Sequence, residues 1–187
     1  MKHQPSARVQ TVLEDWRAEI ESNDLRLPRH FNRSIARGVP RKLRPLAECV
    51  GLPVLGLGSC RIVFALGKKS ALKVAYSQVG MAVNLLEHLI SQVLDKNTHA
   101  AVRGMETLGL WLLQERVESV RYLGSRMMAE LLHEMGVGSE YVCWDLHSAN
   151  FGRRVNGDLV LVDLEALTSR NSRISTPALV GPRFAEL

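Results

Sequence analysis

Apolar residues first recur at helical spacing. Val9, Val12, Leu13, Trp16 and Ile20 in "RVQTVLEDWRAEIES" share one side of a 3.6-residue period, which predicts an amphipathic helix. From residue 53 the pattern changes to short apolar runs broken by glycine. "PVLGLGSCRIVFALG" reads as a strand, a tight glycine turn and a second strand, and "SALKVAY" as a third, joined through Gly67, Lys68 and Lys69. The helical period returns in "VGMAVNLLEHLISQVLDK", with Val83, Leu86, Ile90, Val93 and Leu94 on its apolar side. "LGLWLLQERV" is again strand-like. "SVRYLGSRMMAELLHEMG" predicts a further helix, capped by Ser119, stopped by Gly136 and packed through Val120, Leu123, Met127, Leu131 and Met135. The order is three strands, a helix, two strands, a helix and a terminal hairpin, a chain of mixed α and β elements without internal repeats.

The hairpin carries the most polar chemistry. In "WDLHSANFGRRVNGDLVLVDLE" the pair Asn156–Gly157 is a strong signal for a two-residue turn. Such a turn sets Val155 against Asp158 and Asn150 against Asp163, and opposed side chains have Cβ atoms about 4.5–5.5 Å apart. One amide oxygen and one carboxylate would then project together, a hard-oxygen pair suited to Mg²⁺. Asp145, on the loop entering the hairpin, is placed to orient a hydroxyl and accept its proton. Asp145 and Asn150 serve equally well as caps of loop turns. Cys143, Asp145 and His147 also alternate along the chain, but no second ligand cluster accompanies them to make a metal-hydrolase site.

Two further stretches bear on the same chemistry. Gly56 and Gly58 allow a backbone turn to approach a bulky ligand, although a strand follows where a dinucleotide fingerprint requires a helix. Glu87 lies near the apolar side of its helix. It is either a solvated flank residue or the partner of Lys73, since a carboxylate buried alone is costly.

Composition changes the picture only at the edges. At 187 residues, 46% hydrophobic and 23% charged, the chain is an ordinary globular protein, and no apolar run approaches the roughly 18 residues of a membrane span. Cys49, Cys60 and Cys143 are scattered and odd in number, which suits a reducing, cytoplasmic setting. The net charge of +5 is concentrated between Arg26 and Arg44, where Arg26, Arg29, Arg33, Arg37, Arg41, Lys42 and Arg44 occur with no acidic residue among them. This run is either a solvated arm or a contact for an acidic protein, phosphate or nucleic acid.

Together, "GLGSCRIVF", Lys73 in "ALKV", Glu87, "DLHSAN" and "VDLE" resemble, in order and spacing across residues 53–165, the protein-kinase-like superfamily. The last two are similar to the forms found in aminoglycoside-phosphotransferase-like and small phage or bacterial kinase-like members. The resemblance implies an α+β fold: an antiparallel N-lobe sheet with a helix C, followed by a truncated, mostly helical C-lobe. The expected divisions are 1–50 for a helix and basic extension, 51–118 for the N-lobe and 119–187 for a minimal C-lobe.

The same resemblance implies ATP phosphates beneath residues 56–61, including Gly56, Gly58, Ser59 and Arg61, with Lys73, held by Glu87, on the α- and β-phosphates. It implies adenine beside a hinge at Gln114–Arg116, including Glu115, with Asp145 as the catalytic aspartate and Asn150 and Asp163 on Mg²⁺. The expected activity is transfer of the γ-phosphate of ATP to a hydroxyl of a protein or small molecule. "CWD" departs from the usual His-x-Asp, and residues 164–187 are too few for a conventional peptide-binding lobe. A second expectation is therefore a nucleotide-binding pseudokinase that grips a protein or nucleic acid through its basic segment.

Overall fold

The computed structural model describes residues 4–22, 41–137, 141–143, 146–164 and 167–169. Asp145 and most of the Arg26–Arg44 run lie outside them. The described chain is α+β, with four α-helices and an antiparallel sheet. It divides into two compact units. The first takes the described residues up to His88 together with Val102–Arg116, and the second takes Leu89–Ala101 together with those from Val117 onward.

In the first unit, helices α1 (Ala7–Ser22) and α2 (Arg44–Val50) precede the strands β1 (Val54–Leu57), β2 (Arg61–Leu66) and β3 (Ser70–Ala75). Helix α3 (Gln78–Val93) follows, its residues from Leu89 onward counted with the second unit, then β4 (Val102–Met105) and β5 (Trp111–Glu115). The five strands form one antiparallel sheet in the order β1-β2-β3-β5-β4.

Register and alternation assign its two faces. Val63 pairs with Lys73 and Lys73 with Leu112, while Leu72 lies between Phe64 and Leu113. Ile62, Phe64, Leu72, Val74, Trp111 and Leu113 share one face and join Val9, Leu13 and Ile20 of α1 and Leu46 and Val50 of α2 in a single core. The first amphipathic helix thus covers the protein's own sheet. With one face under α1 and the other carrying Lys73, all six residues of β3 are buried, which explains its nearly unbroken apolar run.

The second unit holds β6 (Glu118–Ser119), α4 (Ser125–Glu134), β7 (Tyr141–Cys143), β8 (Phe151–Arg153), β9 (Leu159–Leu161) and β10 (Leu167–Ser169). Strands β6, β8 and β9 form a three-stranded sheet in the order β6-β8-β9, and β7 pairs with β10. Among the described residues this unit is built as much from short strands as from helix, whereas a mostly helical lobe was expected.

Helix α4 begins at Ser125, not near Ser119, because Ser119 is spent on pairing with Gly152. Its buried stripe is accordingly Met128 and Leu132, and Met127 is 52% exposed. Gly136 does end the helix. At φ +70° it donates to the His133 carbonyl while Val137 donates to that of Leu132, the paired bonds of a Schellman motif.

Candidate functional site

Strand β3 and helix α3 bring Lys73 and Glu87 together. Lys73 Nζ lies 2.5 Å from Glu87 Oε1, and the lysine and glutamate side chains are 7% and 0% exposed. Their position follows from the two periods involved. Lys73 lies on the sheet face opposite the α1-covered core, while Gly80, Asn84, Glu87 and Ser91 form a buried stripe along α3 at spacings of four, three and four. Val93, expected on the apolar side, is 72% exposed instead.

Glu87 has a second cation. Arg61 Nη1 lies 2.5 Å from Glu87 Oε2 and 3.2 Å from Asn84 Oδ1, with the arginine side chain 6% exposed. Asn84 Nδ2 in turn donates to the Gly109 carbonyl at 2.8 Å, and Gln114 Nε2 donates to Glu87 Oε1 at 3.3 Å. A carboxylate with no exposure is tolerable only because both its oxygens are occupied by charged or amide donors.

Of the two alternatives open for Glu87 in the sequence, the structure shows the pair with Lys73 and adds Arg61, a residue of the glycine flap, to it. Sequence reasoning missed Asn84. The available signal was a polar residue in the inward phase of a helix, three positions before Glu87.

The glycine flap is the β1–β2 turn. Gly58 N–H donates to the Arg61 carbonyl at 2.9 Å, and the Tyr76 hydroxyl donates to the Gly58 carbonyl at 2.6 Å. Burial, and secondarily the nearby Cys60 thiol, pushes the Tyr76 phenol well above its ordinary range. A Cβ on Gly58 would come no nearer than 3.6 Å to the Arg61 carbonyl oxygen, and one on Gly56 no nearer than 3.7 Å to Val63. Among the described residues nothing packs closely enough against either glycine to exclude a Cβ. Ser59, at the tip, is exposed. Glu115 ends β5 opposite Ser70 and is half-buried.

In the second unit the hairpin corrects the expected register. Phe151 pairs with Leu161, Gly152 with Val160 and Arg153 with Leu159. Val162 N–H donates to the Asn150 carbonyl, so Asn150 stands opposite Val162 and not Asp163. The cause is the turn. Arg154 accepts from Gly157 N–H and donates to the Asp158 carbonyl, with Gly157 at φ +97°, so the loop has three residues, Val155, Asn156 and Gly157. This is the arrangement in which a left-handed glycine ends the loop, and it competes with the two-residue turn that Asn–Gly suggests.

Asn150 is buried at the end of a 3-10 turn, Ser148–Asn150. Its Oδ1 accepts the His147 backbone N–H at 2.8 Å. One lone pair of that amide oxygen remains available to a cation. Asp163 lies two residues past the end of β9 and is half-buried, so strand alternation no longer dictates its facing. The register that would set one amide and one carboxylate directly opposite each other for Mg²⁺ is therefore not the one observed. Among the described residues no group of three or more His, Cys, Asp or Glu side chains is arranged to hold a metal, and His147 joins none. No described helix is long and apolar enough to cross a membrane.

No protein-family model matches the chain, and no curated protein matches it.

Proposed function

We propose that this protein is a protein-kinase-like, ATP- and Mg²⁺-dependent phosphotransferase acting on a hydroxyl of a protein or small molecule. The observation that carries this reading is the buried ion pair between Lys73 of β3 and Glu87 of α3, beside a flap whose two glycines the packing of the described residues does not require.

In this reading Glu87 fixes the Lys73 ammonium, which binds phosphate oxygens of the nucleotide. The backbone of residues 56–61 covers those phosphates. Asn150 and Asp163 would hold the metal, which would neutralise charge on the phosphate oxygens. Asp145 orients the acceptor hydroxyl and takes its proton as the new P–O bond forms and the bond from the γ-phosphorus to the departing ADP breaks. Positioning and charge neutralisation supply the catalysis.

Incubation of the full chain with γ-labelled ATP and Mg²⁺, with and without cell lysate, tests the proposal. Label should pass to an acceptor with the wild type and fail to do so with Asp145→Asn and with Asp163→Asn. Transfer undiminished in both variants ends the phosphotransferase reading.

A second reading, a nucleotide-binding pseudokinase used as a binding module, draws on Arg41 and Lys42, which are exposed at the described end of the basic run. It expects partner binding that weakens steeply with salt and survives Asp163→Asn.

A further inference from the structure

The base of the flap touches helix α3 at two points. A Cβ on Gly80 would lie 2.3 Å from the Cys60 carbonyl oxygen, so the first turn of α3 is in backbone contact with the flap. One residue further, Arg61 bridges Asn84 and Glu87 through a single guanidinium nitrogen, while its own carbonyl closes the Gly58 turn. Asn84 carries the connection on to the Gly109 carbonyl, just ahead of β5. The side chain expected to reach a ligand from the flap is instead committed to the helix.

We propose that Arg61 is a positioning residue, a strut between the flap and α3 that acts on bound nucleotide through Glu87 and Lys73 and not by touching phosphate. The inference rests on the nucleotide-binding reading above. It assigns the flap a second task, because a ligand that shifts the 58–61 turn pulls on the carboxylate that holds Lys73. Arginine suits this position because its donors can serve an amide and a carboxylate at once, which an ammonium on a flexible stem does less well.

A double-mutant cycle on the full chain decides the matter. Mg·ATP affinity is measured for wild type, Arg61→Met, Glu87→Gln and the double variant, with unfolding followed alongside, and Arg61→Lys tests rescue. Arg61→Met should weaken binding about tenfold, but the same change in the Glu87→Gln background should add little, the signature of residues acting as one unit. Arg61→Lys should recover part of the loss.

Losses that multiply in the double variant mean that Arg61 meets phosphate directly, which overturns the inference and leaves the nucleotide reading intact. Unchanged affinity in Arg61→Met overturns it as well. A wild type that binds no Mg·ATP removes the reading and the inference together. Should Arg61→Met fail to fold, Arg61→Gln, which keeps an amide donor, carries the same cycle.

Discussion

Glu87 and Arg61 stand with Oε2 and Nη1 2.5 Å apart, both side chains almost wholly out of water. The same carboxylate reaches Lys73 with its other oxygen, so one acidic residue on α3 anchors two cations from adjacent strands. Burying such charges is unfavourable in itself, and what makes the arrangement viable is that each finds a partner.

Removing that carboxylate should therefore be expensive. Glu87→Gln leaves Arg61 and Lys73 without their shared counter-ion and should destabilise the protein by about 3–5 kcal/mol, the range for breaking one side of a buried pair. Glu134→Gln, at the exposed end of α4, should stay within about 0.5 kcal/mol of wild type. Urea unfolding of the two variants checks both.

The two kinds of glycine around the flap should behave differently. Gly80→Ala forces a Cβ to 2.3 Å from the Cys60 carbonyl oxygen, and such overpacking costs about 1–3 kcal/mol or more. Gly58→Ala meets only ordinary contacts, so its melting temperature should stay near that of wild type while its affinity for Mg·ATP falls. Paired melting and binding measurements separate structural from ligand-facing glycine.

Tyr76 ties stability to alkaline pH. Burial raises the phenol above its ordinary value, which is about 10 in an unfolded chain. Above that pH the unfolded state releases this proton while the folded state keeps it, so the contribution of Tyr76 to stability declines as pH rises. Tyr76→Phe loses the hydrogen bond to the Gly58 carbonyl, about 0.5–1.5 kcal/mol at neutral pH. Its deficit relative to wild type should shrink progressively above pH 10 or so. Unfolding curves taken from neutral pH upward test the sign.

The hairpin register predicts a positional effect at its tip. Gly157 adopts φ +97°, so Gly157→Ala should cost about 1–2 kcal/mol from left-handed strain. Asn156→Ala should be milder, because a two-residue type I′ turn alone would need positive φ at both positions. Equal effects at both positions would favour the two-residue turn over the three-residue loop.

Much of this was legible in the sequence because it rests on local periods. Alternation in β3 and the helical periods of α1 and α3 locate strands and helices without reference to distant residues. They leave Glu87 either solvated or paired with Lys73, and only the structure supplies the pair and the packing of α1 on the sheet. The failures lie where two local preferences competed. Asn156–Gly157 favours a two-residue turn, yet a three-residue loop ending in the same glycine slid the register by one and moved Asn150 from Asp163 to Val162.

Val120 and Leu123 happened to fall in phase with the following helix, which hid the strand pairing of Ser119 and displaced the expected stripe from Met128 to Met127. The contacts of Arg61 with Asn84 and Glu87 were not legible, because a flap residue next to glycines suggests a ligand contact. The place of Arg61 on the same sheet face as Lys73 follows only once β2 and β3 are set in register.

The most direct measurement is calorimetric titration of Mg·ATP into the wild-type chain and into Lys73→Met, with Lys73→Arg as the charge-preserving control. Saturable binding to the wild type, weakened about tenfold or more in Lys73→Met and largely kept in Lys73→Arg, is the expected result. A wild type that takes up no nucleotide, or one that binds no better than Lys73→Met, would contradict the proposal that the Lys73–Glu87 pair holds a nucleotide phosphate.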